Sequence, residues 1–287
     1  MRLLLLGSTG LLGRAVRDFA RQKNIEIYGV ARSGSDFNND LTDESFILSI
    51  FKQIQPTLVI NAAALTNLDE CERNLIYAKK INTDLPAFIS KLCVSVGAQF
   101  VHISTDHFYG SGSKLHSEEE PVDLVNNYAK TKFSAESLLN HERDLIVRTN
   151  IVGFRGWLNQ PTFLEWVIEN LSQRNQIIGF RDVFTSSIHV NTFVSYLFML
   201  VHKKIVGVIN LASGNSCSKY DFILKLASSL DLDSNCVKPG CLDQISKIQR
   251  AKSMGLDVRK VEKILGFNMP SIDETILTIA LEYKNLK

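Results

Sequence analysis

Tyr128 and Lys132 stand four residues apart in the run NNYAKTKFSAE. On a helix that spacing puts both side chains on one face, one turn apart. A phenol alone has a pKa of about 10 and releases its proton too reluctantly for work at neutral pH. A neighbouring ammonium stabilises the phenolate and lowers that pKa. Tyr128 would then give a proton to a carbonyl oxygen while a hydride reached the carbon. Lys130 competes as the cation, but two residues along the helix it points elsewhere. Taken alone, a Tyr–Lys pair is more often a solvated helix face, so its meaning depends on its neighbours in the fold.

One such neighbour is GSTGLLG, which spaces Gly7, Gly10 and Gly13 between an apolar run and an amphipathic one. The first glycine permits a tight turn, the second lets the backbone approach a pyrophosphate, and the third lets helix and strand pack closely. The helix start also offers N–H groups and a positive dipole end to phosphates. A lone glycine pattern also fits an ordinary strand-to-helix turn, but this one lies at the strand–helix junction that dinucleotide binding requires. The segment Gly7, Thr9, Gly10, Leu11, Leu12 and Gly13 is therefore expected to hold a dinucleotide. The second strand ends VARS, with Arg32 and Ser33 and no acid. A guanidinium suits a 2′-phosphate, where an acid would accept bonds from a ribose and repel it. The residues favour NADPH, with NADH as the alternative. Lys132 would then also hold the hydroxyls of the nicotinamide ribose.

The elements that must position these groups are legible as alternation. Apolar strands are expected at 2–6, 25–30, 57–64, 99–105 and 144–150, and helices at 11–22, 44–53, 75–96 and from about Tyr128. That rhythm implies an α/β fold, a Rossmann-type doubly wound parallel sheet covered on both faces. Ligands bind such sheets at the carboxyl ends of strands, where strand order reverses. After Asn150 the rhythm changes to scattered helices (about 162–172, 191–203, 218–229 and 257–267) and short strands. We expect a dinucleotide-binding domain over 1–150 and a smaller substrate-binding lobe over 151–287, with some exchange of chain between them.

The GxxGxxG spacing resembles the extended branch of the short-chain dehydrogenase/reductase superfamily. With NAAALTNLDECE, ISTDHFYG, NNYAKTK, IVRTNIVGF and SIHVNTF in this order, the chain resembles dTDP-4-dehydrorhamnose reductase and related sugar-nucleotide reductases. The likeness runs over nearly the whole chain, more loosely after Asn150. It includes GVINLASGNSCSKYDFI, similar to a strand, loop and helix that begin Ser-x-Tyr-x-Phe. The resemblance implies NAD(P)H-dependent reduction of a nucleotide-linked 4-keto-6-deoxysugar, in deoxysugar or surface polysaccharide synthesis. It implies a Thr105–Tyr128–Lys132 triad, with Ser104 as the fallback hydroxyl. Asp40-Leu41 matches the pair that flanks the adenine. Ala62, Ala63 and Ala64 match a small-residue strand end beside the cofactor, although close sheet packing also explains the alanines. Thr66 and Asn82 are further candidates.

Substrate contacts are carried over to Thr105, Asp106, His107, Asn150, Arg250 and Lys252. Two departures matter. Sugar-nucleotide dehydratases of this fold have Thr-Asp-Glu where this chain has Thr105-Asp106-His107, so the carboxylate that assists elimination is missing. The rhamnose reductases usually have tyrosine after Thr-Asp, and a Ser-Trp pair where Asn150-Ile151 stands; Trp157 is the nearest tryptophan, with a core role favoured over substitution for that pair. The same family includes a regulatory subunit of methionine adenosyltransferase, which makes a cofactor-binding regulatory chain the alternative. A sugar-nucleotide epimerase is the third reading.

Composition bounds these readings. The chain has 287 residues, 45% apolar and 22% charged, with a formal net charge of +2. That is an ordinary soluble balance, with scattered rather than striped cations, and points to no nucleic-acid partner. Five cysteines without a CxxC argue against a disulfide framework or a zinc site and fit a reducing cytoplasm. MRLLLL is too short for a signal peptide or a membrane span, so no membrane partner is expected. No metal ligand set is expected. Relatives of the resembled family are often dimers, which carries over as a homodimer.

Overall fold

A computed structural model describes residues 1–110, 114–156, 160–244 and 248–286. The chain clusters into two units. Unit 1 comprises Met1–Thr105, Asn126–Arg148 and Val194–Ile209, and unit 2 comprises Asp106–Val125, Thr149–Phe193 and Asn210–Lys287.

Unit 1 is built on a sheet of seven strands: β1 (Arg2–Leu6), β2 (Glu26–Ala31), β3 (Phe37–Asn38), β4 (Leu58–Asn61), β5 (Gln99–Ile103), β6 (Leu145–Arg148) and β7 (Gly207–Asn210). Their spatial order is β3-β2-β1-β4-β5-β6-β7. The pairs from β3 through β6 are all parallel, with Leu6 opposite Val30 on one side and Asn61 on the other. The chain winds outward in both directions from β1, so the order reverses between β1 and β4. A parallel strand covered on both faces must be apolar throughout. Leu3, Leu4, Leu5 and Leu6 accordingly have no solvent exposure. Each such leucine contributes about 1.5–3 kcal/mol relative to leaving it in water.

Helix α1 (Leu11–Gln22) follows β1 and buries Leu12, Ala15, Val16 and Ala20. Helix α2 (Glu44–Ile54) is capped by Asp43, whose carboxylate accepts from the Phe46 N–H, and buries Ile47, Ile50, Phe51 and Ile54. The single helix expected over 75–96 is instead three pieces: a helix over Leu75–Lys79, a wide π-type turn over Lys80–Asp84, and α3 (Leu85–Val96). Pro86 gives the reason. It has no N–H, and its ring clashes with the carbonyl four residues back, so the preceding turn must widen. Gly97, at φ +69°, ends α3 in the left-handed conformation. Helix α4 (Asn127–Leu138) begins at Asn126, whose side chain accepts from the Ala129 N–H.

Unit 2 holds short strands and longer helices. A four-stranded sheet runs in the order Cys217–Ser218, Phe184–Thr185, Ser253–Leu256, Leu115–His116. The helices Phe163–Ser172, Lys219–Ser229 and Ile272–Leu286 share a core that includes Leu164, Val167, Leu171, Phe222, Leu226, Ile276 and Ile279. The helix over Ile272–Leu286 was not anticipated from the sequence. Thr162 and Glu165 cap the first of these helices reciprocally.

Candidate active site

The glycine loop leaves β1 at its carboxyl end, beside the reversal of strand order. Gly7 sits at φ +79°, and a Cβ there would lie 2.8 Å from the Ala63 nitrogen. At Gly13 a Cβ would lie 2.2 Å from the Gly7 carbonyl oxygen. Neither position has room for a side chain. Gly10 is the N-cap of α1, no side chain caps that end, and no acid lies in the first turn. An uncapped helix start with glycines on its approach is a cradle for a pyrophosphate, so these residues fit a dinucleotide. Thr9 and Leu11 are part-exposed at the cradle, whereas Leu12 and Gly13 are buried beneath it.

The end of β2 holds a feature the sequence reading passed over. Asp36 lies just beyond the strand, but its carboxylate accepts from the Gly29 N–H at 2.7 Å and pairs with Arg17 at 3.0 Å. Burial works against its charge, yet these two partners hold its pKa below the usual carboxylate range. The nearby acid is thus committed to the protein, and Arg32 and Ser33 stand exposed at the strand end. Asp40 is also pinned: it accepts from the Thr42 N–H at 2.8 Å and from Tyr77 Oη at 3.3 Å. Burial opposes its ionisation, but those bonds and the Arg32 charge hold its pKa down. Leu41 beside it is buried.

Ala62, Ala63 and Ala64 follow β4 and are part-exposed, and Thr66 is exposed. Asn82, in the wide turn before α3, accepts from the Leu65 N–H at 2.9 Å and donates to the Leu65 carbonyl at 3.1 Å. Its side chain fixes the loop that carries Leu65 and Thr66.

Tyr128 and Lys132 lie on α4, 8% and 1% exposed, and Lys130 faces solvent. Lys132 Nζ donates to the Ile103 carbonyl at 2.7 Å, at the end of β5. It also lies 3.1 Å from His102 Nε2. Burial lowers its pKa to about 8, with Glu136 pulling the other way. Thr105, two residues beyond Ile103, is 4% exposed. Ser104 is committed elsewhere: its hydroxyl donates to Glu136 Oε1 at 2.5 Å. Glu136 in turn pairs with Arg148 at 2.7 Å. The fallback hydroxyl therefore belongs to a buried ion-pair network.

In unit 2, Asn150 Nδ2 donates to Asp106 Oδ2 at 2.7 Å, and Ser187 Oγ donates to Asn150 Oδ1 at 2.7 Å. His107 Nε2 lies 3.9 Å from Asp106 Oδ1. Burial, then the charges of Lys219 and Arg250, push the His107 pKa down to about 4. Asp106, His107 and Asn150 thus meet, with Arg250 close enough to act on the histidine. Lys252 is set apart by its pairing with Asp182 at 2.9 Å and Asp243 at 2.6 Å. Lys219 joins the cluster unforeseen, its ammonium 4.3 Å from the centre of the Phe163 ring. Trp157 lies outside the described residues. Among the described residues no group of His, Cys, Asp and Glu could hold a metal, and no helix is long and apolar enough to cross a membrane.

The strand order, the glycine cradle and the Tyr–Lys pair beneath the β5 end define a dinucleotide-binding Rossmann-type fold of the extended short-chain dehydrogenase/reductase kind. The chain belongs to the RmlD substrate binding domain family, whose pattern matches residues 1–284. It is 23% identical to the probable low-salt glycan biosynthesis reductase Agl14 of Haloferax volcanii, over 97% of each chain. It is 24% identical to the methionine adenosyltransferase 2 subunit beta of Bos taurus, over 92% of this chain and 82% of that one. The crystal structure of dTDP-4-dehydrorhamnose reductase from Bacillus anthracis in complex with NADP matches with a TM-score of 0.86 and 24% identity, covering 98% of this chain and 99% of that one.

Proposed function

We propose that the protein is an NADPH-dependent reductase of a nucleotide-linked 4-keto-6-deoxysugar, acting in deoxysugar or surface polysaccharide synthesis. The observation that carries this reading is Lys132. It is buried on the same face of α4 as Tyr128, with its Nζ fixed at the end of the strand that leads to Thr105. Bound NADPH supplies the hydride that the keto carbon receives. Tyr128 gives its phenolic proton to the keto oxygen, and the ketone becomes a secondary alcohol. Lys132 stabilises the resulting phenolate and holds the cofactor ribose. The Thr105 hydroxyl donates to the same oxygen as negative charge grows there. Asp106, His107 and Asn150 are the proposed sugar contacts, and Arg250 meets the diphosphate. Lys252 is the weaker diphosphate candidate because two carboxylates already hold it. The enzyme works in the cytoplasm on this reading.

Purified protein should consume NADPH, followed by its absorbance, with at least one member of a panel of dTDP-, GDP-, CDP- and UDP-linked 4-keto-6-deoxysugars. Tyr128→Phe removes the acid and should cost at least about a hundredfold in kcat while NADPH still binds. Normal turnover by that variant would end this mechanism. The likeness to methionine adenosyltransferase beta subunits supports a second reading, a cofactor-binding regulatory chain. Stoichiometric recovery of an enzyme partner, with no ketone reduced, would favour it. An epimerase would show no net consumption of NADPH.

A further inference from the structure

Behind the Tyr128–Lys132 pair lies a row of three buried side chains, all within unit 1. Asn61 ends β4, His102 is one residue from the end of β5, and Lys132 is on α4; they are 0%, 0% and 1% exposed. Asn61 Nδ2 lies 3.3 Å from His102 Nδ1, and His102 Nε2 lies 3.1 Å from Lys132 Nζ.

The direction of this row is set at its far end. The backbone N–H of Ala63 donates to Asn61 Oδ1 at 3.1 Å. A backbone N–H can only donate, so it fixes which end of the Asn61 amide faces it. The other end, the Nδ2 donor, must face His102. Nδ1 of the ring therefore accepts, and in a neutral imidazole the one proton sits on Nε2. Burial keeps the ring neutral by holding its pKa well below the usual histidine value. The Nε2–H then points at Lys132 Nζ. An ammonium has three donors and no acceptor, whereas an amine has a lone pair to receive that hydrogen. Full protonation of Lys132 requires His102 to move its proton to Nδ1, and Asn61 to turn from Ala63.

We propose that His102 is a positioning residue: held by Asn61 as its Nε2–H tautomer, it sets how readily Lys132 gives up its proton, and through Lys132 the working range of the Tyr128 acid. The role of Tyr128 rests on the ketoreductase reading; the tautomer does not. The charged and titratable groups around the row are few among the described residues. Tyr128 and Glu136 each lie one turn from Lys132 on α4. Glu136 favours the ammonium and is itself held by Arg148 of β6 and by Ser104 beyond β5. From β4 comes only the uncharged Asn61.

Two measurements test this. In protein labelled with 15N-histidine and free of cofactor, held at a pH above the Lys132 pKa of about 8, the ring signal that disappears in His102→Gln should carry its proton on Nε2. Asn61→Asp places an acceptor at Nδ1 and should move the proton there. A wild-type proton on Nδ1 at that pH overturns the proposal. In the second measurement, ketone reduction with NADPH is followed against pH. His102→Gln offers Lys132 a carbonyl in place of the N–H, so the basic limb of kcat should move up by about one pH unit. A limb that stays in place in a folded variant overturns the link to Tyr128. The first measurement uses no substrate. Failure of every keto sugar would count against the function alone and leave the tautomer standing or falling on its own result.

Discussion

At the scale of single residues, the sequence named the groups and the structure sorted their commitments. Ser104 and Thr105 are adjacent hydroxyls that no spacing rule separates. Only the fold shows that Ser104 is spent on Glu136. Arg32 shows the same sorting in reverse. A strand end without an acid favoured NADPH, and the structure shows the next acid, Asp36, turned onto Gly29 and Arg17. Arg32 is left exposed at the strand end. Arg32→Glu replaces a fork of donors with a like charge, so the KM for NADPH should rise at least about tenfold. NADH should suffer much less. Initial rates with the two cofactors check this, and an unchanged NADPH-to-NADH ratio would remove Arg32 from the site.

At the scale of elements, the glycine loop and α1 act as one piece. Gly13 lets α1 approach β1 so closely that a methyl group would fall 2.2 Å from the Gly7 oxygen. That neighbour is backbone and cannot swing aside. Gly13→Ala should therefore push the helix start off the loop. The expected result is a loss of about 1–3 kcal/mol in stability and of at least about tenfold in NADPH affinity. Denaturant unfolding and a cofactor titration read the two effects separately. Helix α3 carries a second lesson at this scale. An apolar period running from 75 to 96 reads as one helix, and the single proline inside it forces the wide turn that aims Asn82 at Leu65.

At the scale of the whole molecule, each unit holds a histidine kept neutral, the buried His102 in unit 1 and the half-buried His107 in unit 2. The His107 pKa is pushed from 6.5 to about 4. Below its unfolded value the unfolded chain takes up a proton that the folded chain refuses, so the unfolded state gains. Stability contributed by the neutral ring is thus full above about pH 6.5 and is lost progressively as pH falls toward 4. His102 adds to the same slope, with its pKa also lowered by burial. The melting temperature should fall across this window, and His107→Gln should flatten the fall. A melting temperature independent of pH there would contradict both burials.

Period and punctuation along the chain were enough to specify the alternating α/β architecture, the glycine cradle and the Tyr128–Lys132 pair, because each depends on contacts between near neighbours in sequence. A strand is apolar, a turn needs glycine, and two side chains four apart share a helix face, whatever the rest of the chain does. What the sequence could not decide was partnership across long separations. Asn61, His102 and Lys132 come from three elements, and nothing in their spacing says that they form one row. Lys252 and Arg250 are neighbours in sequence, yet one is held by Asp182 and Asp243 and the other acts on His107. Those assignments follow from which buried polar group must satisfy which other, and only the tertiary structure places the groups close enough for that demand to operate.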